Sequence, residues 1–219
     1  MSPNRRHSAE MGPHANRMAT TRLYLLTPPL DDAGAIADDL AAALNAVDIA
    51  AVLMRFAPGD DASALAQVKS LRILVQSNGA ALLLDGHFHL VAQAEADGAH
   101  LTGTDALRAA IPALRPKAIA GCGGLGTRHD AMLAGESGAD YVMFGEPNGP
   151  RPAFDAVLER VTWWTEIFQV PCVGYAANVD EVAALARAGA EFVAIDEAVW
   201  RFPARLAAAV ERLAAEPVR

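Results

Sequence analysis

Short apolar runs alternate with helix-like stretches eight times between residues 23 and 200, and this repeat constrains the fold more than any other feature. The runs lack the polar alternation of half-exposed strands, as expected for parallel strands covered on both faces. They are residues 23–27, 51–56, 81–85, 98–103, 118–123, 140–145, 171–176 and 191–196. Strict alternation of strand and helix implies right-handed βαβ units and a parallel sheet.

Eight such units favour an α/β fold of the closed (β/α)8 type, a TIM barrel, with a doubly wound open sheet as the alternative. In a barrel, the chemistry is expected at the carboxyl ends of the strands. The 219 residues suffice for one such domain, which we place at residues 22–215. Residues 1–21 are polar and irregular, lack the apolar segment of a signal peptide, and are predicted to form a disordered leader.

Short polar residues stand where the intervening helices are predicted to begin. Such side chains accept hydrogen bonds from the free N–H groups of a first helical turn. The candidates are Asp31, Asp32, Asp60, Asp61, Thr104, Asp105, Thr127, Asn178 and Asp180.

The charge and cysteine content exclude several classes of protein. A net charge of −8 without a basic run argues against a nucleic-acid partner. No apolar run reaches the roughly 18 residues of a membrane span. Cys122 and Cys172 each fall inside a predicted strand and are interpreted as buried thiols of a reducing compartment. We therefore expect a cytoplasmic protein that contacts neither nucleic acid nor membrane.

Several stretches, in order along the chain, resemble one family of barrel enzymes. They are RLYLLTPP at 22–29, VLMR at 52–55, ADGAHL at 96–101, SGADYVMFGEP at 137–147 and AGAEFVAIDEAV at 188–199. ADGAHL and GADYV are the specific pieces. Together they resemble the thiamine phosphate synthase/TenI family, whose members fold as (β/α)8 barrels.

The resemblance implies a transferase of thiamine biosynthesis. Synthases of the family join hydroxymethylpyrimidine diphosphate to thiazole phosphate and release pyrophosphate, with Mg2+ as cofactor. The expected partners are therefore small phosphorylated substrates. Two alternatives stay open: a diverged, non-catalytic or regulatory barrel that has lost phosphate binding, and a TenI-like thiazole tautomerase. The tautomerase is the weaker, because Leu125 stands where its proton-shuttling histidine is expected.

The resemblance also implies site residues. Arg55 keeps the family's arginine and is assigned to catalysis and substrate binding, as a clamp on diphosphate oxygens. An ion pair with Asp85 is the alternative for Arg55. Asp105 and Asp85 are assigned to Mg2+, which usually completes its shell with substrate phosphates. Helix capping alone would also account for Asp105.

Two further positions are assigned to substrate binding. Gly123 and Gly124 lie in the glycine-rich segment GCGGLGT, which can present N–H groups to an anion or can serve only as a tight turn. Asn178 follows the seventh strand, where the family binds phosphate, and it is also a candidate helix cap.

Other positions depart from the family pattern. The chain has only two lysines, Lys69 and Lys117, and neither is expected at the active face, which excludes a Schiff-base aldolase. Three acidic residues, Glu146, Asp196 and Glu197, could make the mouth acidic or could be solvated rim charges. His100, inside the fourth strand, is interpreted as structural. Trp163 and Trp164 are interpreted as packing residues, with a contact in a homodimer as the alternative.

Overall fold

Eight parallel strands pair in chain order, and the first also pairs with the last, so the sheet closes into a barrel. The computed structural model describes residues 21–146 and 152–215. The strands are β1 (Arg22–Leu30), β2 (Ile49–Phe56), β3 (Ala81–Asp85), β4 (Gly98–Thr102), β5 (Ile119–Gly123), β6 (Tyr141–Phe144), β7 (Cys172–Ala176) and β8 (Phe192–Ile195). All eight apolar runs lie on these strands. The predicted TIM barrel is confirmed, and the open-sheet alternative is wrong.

A helix follows each strand. The helices are α1 (Gly34–Ala46), α2 (Asp61–Ser77), α3 (Val91–Ala94), α4 (Thr104–Leu114), α5 (Arg128–Glu136), α6 (Phe154–Ile167), α7 (Val179–Arg187), α8 (Glu197–Trp200) and α9 (Pro203–Ala214). A short 3-10 turn at Phe88–Leu90 precedes α3. No helix in the described part of the chain is both long and apolar enough to cross a membrane. The predicted leader falls on residues 1–20, outside the described residues, except for its last position.

Strand β1 is longer than its apolar run because it continues through Pro28 and Pro29. The pairing of β1 with β2 is irregular between Leu26 and Pro29, as expected where prolines offer no N–H to the ladder. The buried hydroxyl of Thr27 accepts a hydrogen bond from the Arg55 N–H at 3.0 Å instead. This extension carries β1 up to the mouth beside Arg55.

Three of the predicted caps are confirmed. The side chains of Asp60, Thr127 and Asn178 accept hydrogen bonds from the first turns of α2, α5 and α7. The prediction for α4 is wrong, because Gly103 at φ 87° takes the cap position without a side-chain bond. Asp105 therefore lies in the first turn of α4 and does not cap it.

Apolar side chains fill two regions separated by the barrel wall. The larger lies between the strands and the helices and contains both free cysteines, which are fully buried as predicted. The smaller fills the lumen and consists of Tyr24, Leu26, Ala51, Leu53, Leu83, Tyr141, Met143, Val173, Tyr175 and Ala194. Trp164 is buried and donates to the Val170 carbonyl at 2.7 Å, which confirms its packing role. Trp163 is partly buried, with the Arg128 guanidinium 4.9 Å from its ring.

Candidate active site

Inward-facing side chains at the carboxyl ends of the strands form a ring around the mouth of the barrel. Successive side chains of a strand alternate between the two faces of the sheet. Leu53 and Leu83 lie in the lumen, so Arg55 and Asp85, two residues further along, face the mouth. By the same alternation Gly123 faces the mouth from β5. The barrel thus brings three predicted site residues to the edge where chemistry is expected.

The backbone of β1 and a carboxylate of α8 hold the guanidinium of Arg55. Its Nε donates to the carbonyl oxygen of Thr27 at 2.6 Å. Its Nη2 lies 3.6 Å from Oε2 of Glu197, an ion pair longer than a hydrogen bond. The close ion-pair partner is therefore Glu197, and the alternative pairing with Asp85 is wrong. Arg55 is a fixed, mostly buried cation with donors left for an anionic ligand.

The carboxyl group of Asp85 is partly buried beside this cation. Burial raises the pKa of Asp85, and the charges of Arg55 and His87 oppose that rise. The Asp85 carbonyl also pairs with Nδ1 of His87 at 2.7 Å. A cation bound in the mouth would therefore stabilise the ionised form of Asp85.

Asp105 lies at the neighbouring strand end but in a different environment. Its side chain is fully exposed and 3.9 Å from Nη1 of Arg108. The described residues bring together no group of three or more histidine, cysteine, aspartate or glutamate side chains that could hold a metal. Asp85 and Asp105 follow adjacent strands, β3 and β4, and no third ligand joins them as a metal-binding group within the described residues.

The glycine-rich turn after β5 is hydrogen-bonded to a carboxylate side chain of the same chain. Gly124, at φ 66°, donates its N–H to the carboxylate of Glu146. Arg160 of α6 supports the turn from behind, donating to the carbonyls of Leu125 at 2.8 Å and Gly126 at 2.6 Å. The turn thus presents an N–H to the mouth, and a second cation lies behind it.

Glu146 lies inside the mouth, so its interpretation as a solvated rim charge is wrong. A Cβ added to Gly123 would collide with Oε1 of Glu146 and lie 2.6 Å from Nε2 of His100. Burial raises the pKa of Glu146, and the Gly124 N–H opposes that rise. The carboxylate fills the space that any side chain at position 123 would need.

A chain of buried polar groups runs below this carboxylate. The hydroxyls of Tyr24 and Tyr141 are 2.9 Å apart, and the Tyr141 hydroxyl is 2.9 Å from Nδ1 of His100. Burial lowers the pKa of His100 to about 4. Its Nε2 is buried without a hydrogen-bond partner among the described residues. The burial of His100 agrees with its interpretation as structural, but the chain of polar groups was not predicted; the signal was the inward register of His100, two residues beyond Gly98 on β4.

The N–H groups of the turn after β7 are hydrogen-bonded to side chains of the same turn. The side-chain oxygen of Asn178 accepts from the N–H groups of Asp180 at 3.0 Å and Glu181 at 3.2 Å. The Ala177 N–H donates to the Glu181 carboxylate at 2.8 Å. These donors are therefore satisfied within the turn.

The turn after β8 is acidic, and one of its carboxylate oxygens, Oε2 of Glu197, is buried without a hydrogen-bond partner among the described residues. Oδ1 of Asp196 accepts from the Ala198 N–H at 3.0 Å, and Oδ2 accepts from the Tyr175 hydroxyl at 2.5 Å. Glu197 pairs with Arg55. Asp196 and Glu197 are therefore structural partners here and not free rim charges.

Neither lysine reaches this ring, as predicted. Lys69 lies on α2, and Lys117 lies two residues before β5 begins, at the opposite end of the barrel. The arginines found around the described part of the mouth are Arg55 and Arg160. Arg160 was not among the predicted site residues, because its helical position gives no sign that it reaches a strand end.

Comparison with known proteins gives one consistent family. A family model described as thiamine monophosphate synthase, TMP-TENI, matches residues 23–199. The thiamine-phosphate synthase of Rhodospirillum centenum is 42% identical over 198 residues, which cover 88% of this chain and 96% of that protein. The corresponding protein of Hyphomonas neptunium is 36% identical over 200 residues, covering 87% of this chain and 90% of its own.

Solved structures give the same fold. A thiamine phosphate pyrophosphorylase from Pyrococcus furiosus superposes with a TM-score of 0.69 at 20% identity, covering 91% of this chain and 96% of its own. A 3-hexulose-6-phosphate synthase superposes with a TM-score of 0.63 at 17% identity, covering 89% of this chain and 100% of its own. At these identities the likeness concerns the barrel and not its chemistry.

Proposed function

The chain belongs to the thiamine monophosphate synthase family, and from this premise we propose that it joins hydroxymethylpyrimidine diphosphate to thiazole phosphate with release of pyrophosphate. The observation that carries the proposal is the similarity to thiamine-phosphate synthases along nearly the whole chain. The alternative of a non-catalytic barrel is not favoured, because these relatives are named as synthases and match at up to 42% identity.

The proposed reaction breaks one bond and forms one. The bond between the pyrimidine methylene carbon and the bridging diphosphate oxygen breaks, and its electron pair leaves with pyrophosphate. The thiazole nitrogen then donates its lone pair to that carbon. Negative charge grows on the diphosphate in the transition state, so fixed donors aimed at the diphosphate accelerate the step.

The position of Arg55 supports its assignment as the source of such donors. Its guanidinium is fixed by the Thr27 carbonyl and is mostly buried, so little reorganisation accompanies the reaction. The Gly124 N–H offers a second donor once the Glu146 carboxylate gives way. We assign Arg55 to catalysis and diphosphate binding, and Gly123 and Gly124 to the substrate-binding turn.

The residues present fit a magnesium ion that is completed by substrate. Mg2+ usually binds one or two carboxylates together with phosphate oxygens and water. Asp85 and Asp105 follow adjacent strands and supply carboxylates of this kind. When bound, the ion would supply charge neutralisation to the diphosphate.

The second substrate is assigned to the opposite side of the mouth, with Asn178 as its contact. The side-chain oxygen of Asn178 caps α7, and its amide NH2 group can still donate a hydrogen bond to a ligand.

The two buried free thiols support a reducing, cytoplasmic location. Assembly as a homodimer is proposed from the sequence alone.

The direct experiment is a product assay. The purified protein is incubated with the pyrimidine diphosphate, thiazole phosphate and Mg2+, and thiamine phosphate is measured by chromatography. We expect product and pyrophosphate in equal amounts. The proposal is contradicted if neither forms and neither phosphate ligand shifts the melting temperature. Formation of a rearranged thiazole phosphate without coupling would instead favour the tautomerase.

A further inference from the structure

One carboxylate oxygen at the mouth is buried beside Arg55 but lacks a hydrogen bond. Oε2 of Glu197 has no hydrogen-bond partner within residues 21–146 and 152–215. It lies 3.6 Å from Nη2 of Arg55, which is within the range of an ion pair but beyond that of a hydrogen bond. A buried charged group without a hydrogen bond is costly, so the attraction of the guanidinium is what offsets this cost for Glu197.

The short helix α8 fixes the position of Glu197 at the mouth. The Asp196 side chain caps this helix by accepting a backbone N–H at 3.0 Å. At the other end of α8, the buried Trp200 donates from Nε1 to the Leu26 carbonyl at 2.8 Å, which ties the helix to β1. Glu197 is therefore held beside Arg55 by the packing of α8 and not by the ion pair itself.

The orientation of Arg55 does not depend on Glu197. Nε of Arg55 donates to the carbonyl of Thr27 at 2.6 Å, and its backbone N–H donates to the Thr27 hydroxyl at 3.0 Å. Thr27 is completely buried, so these two bonds fix the arginine from β1. The separation of 3.6 Å from Glu197 is too long for a comparable bond. Glu197 therefore acts on Arg55 through its charge and not by orienting it.

Any anion that binds Arg55 must compete with this carboxylate. The Thr27 carbonyl accepts from Nε alone, so the Nη groups of the guanidinium are available to a phosphate. A phosphate bound there lies close to Glu197, and like charges repel each other strongly in a partly buried site. Binding also weakens the attraction that offsets the burial of Glu197 Oε2. Both effects lower the affinity of Arg55 for an anion.

Resting on the proposed function, we propose that Glu197 is a competing anion at Arg55 that weakens the binding of pyrophosphate and so promotes release of this product. When the carbon–oxygen bond of the substrate breaks, its electron pair stays on the diphosphate. Free pyrophosphate therefore carries one more negative charge than the diphosphate ester from which it forms, and Glu197 repels it more strongly. The ion pair with Arg55 is restored as pyrophosphate leaves.

Calorimetry with inorganic pyrophosphate and Mg2+ tests the competition directly. Glu197→Gln keeps the shape of the side chain without its charge, and we expect it to bind pyrophosphate about tenfold more tightly, as the coupling of close charge pairs implies. Glu197→Ala removes the amide as well and should show a similar gain; thermal melting checks that both variants are folded. Unchanged or weaker binding in Glu197→Gln would overturn the proposal, and so would a gain confined to Glu197→Gln, which would be due to a new amide donor.

Asp196→Asn is the matched control, because it removes one negative charge from the same turn. Asp196 accepts from the Ala198 N–H and the Tyr175 hydroxyl, and asparagine keeps the capping acceptor. If Glu197 acts through Arg55, the affinity for pyrophosphate should change by less than about threefold in this control. An equal gain in Asp196→Asn and Glu197→Gln would indicate general repulsion by the acidic turn and would overturn the proposal.

Steady-state kinetics test the link to product release. In Glu197→Gln the inhibition constant for pyrophosphate should fall about tenfold, whereas KM for the pyrimidine diphosphate should fall less, because the ester carries the smaller charge. An equal or larger fall in KM would contradict a role in product release. Failure of the unmodified protein to bind pyrophosphate at all would count against the proposed function itself, whereas binding without a gain in Glu197→Gln would overturn only the role of Glu197.

Discussion

The two sides of the barrel mouth use their polar groups differently. The β2–β6 side consists of Arg55, Asp85, Gly123, Gly124 and Glu146. The β7–β8 side consists of Asn178, Asp196 and Glu197. On the first side a buried cation, a carboxyl of raised pKa and a glycine turn face the mouth. On the second side most polar atoms cap helices, although Oε2 of Glu197 is buried without a hydrogen-bond partner among the described residues. A ligand therefore gains most where polar groups are held but incompletely satisfied.

Substitution of Arg55 should have the largest effect. We expect Arg55→Ala to lower kcat/KM by about a thousandfold, or about 4 kcal/mol, because fixed charged donors act mainly on the transition state. Arg72→Ala, which breaks an ion pair on α2 with Glu95, is the matched control and should change kcat/KM less than twofold. Steady-state kinetics check both; a loss below tenfold for Arg55→Ala would remove it from the catalytic groups.

Substitution of Gly123 should have the next largest effect. The Cβ of Gly123→Ala would meet Glu146 and lie 2.6 Å from His100 Nε2. We expect about a 10- to 100-fold loss of kcat/KM and about 1–3 kcal/mol of stability, as for overpacking. Gly126→Ala is the control, because its nearest neighbour would be Asp130 Oδ2 at 3.6 Å, an ordinary contact. Equal effects of the two substitutions would contradict the interpretation.

The buried histidine should make stability depend on pH. The pKa of His100 is lowered to about 4 in the folded protein, from 6.5. As the pH falls, this histidine is protonated in the unfolded chain before it is protonated in the folded protein. The contribution of His100 to the free energy of unfolding is therefore complete above pH 6.5 and is lost as the pH falls from 6.5 towards 4. The full loss is about 3 kcal/mol.

His100→Gln isolates this contribution. Urea unfolding of both proteins at pH 7.5 and pH 4.5 should show the free-energy advantage of the unmodified protein shrinking by about 2 kcal/mol at the lower pH. Glu146, whose pKa is raised, acts in the opposite direction and is present in both proteins, so it cancels in the comparison. An advantage independent of pH would contradict the assignment of a neutral buried histidine.

The smallest effects are expected at Asn178. Asn178→Ala removes the cap of α7 and should cost about 1 kcal/mol of stability. Asn178→Asp keeps the cap acceptor and should leave stability nearly unchanged. Because it replaces an amide donor with a negative charge in the turn assigned to the substrate phosphate, KM for thiazole phosphate should rise several-fold. Thermal melting and kinetics separate the two roles; an unchanged KM in Asn178→Asp would leave capping as its only function.

Much of the site was predictable because position in a barrel follows from strand register. Arg55, Asp85 and Gly123 lie at strand ends, and inward alternation places all three in one ring. Asp105 is less well placed than predicted, since its side chain is fully exposed. Arg160 was missed, and Glu146 was predicted only as a charge of the mouth or the rim, because their approach to the Gly124 turn depends on a helix face and a loop. Sequence spacing does not report such approaches.

The sequence by itself determined the barrel, its strand positions and the edge where chemistry is expected. These follow from apolar periodicity and chain connectivity, which are local properties. Only the tertiary structure decided which polar groups are satisfied: that Glu197 pairs with Arg55, that Glu146 fills the space at Gly123, and that His100 Nε2 has no hydrogen-bond partner in residues 21–146 and 152–215. Hydrogen bonding and burial depend on residues distant in sequence, so three-dimensional packing alone could assign them.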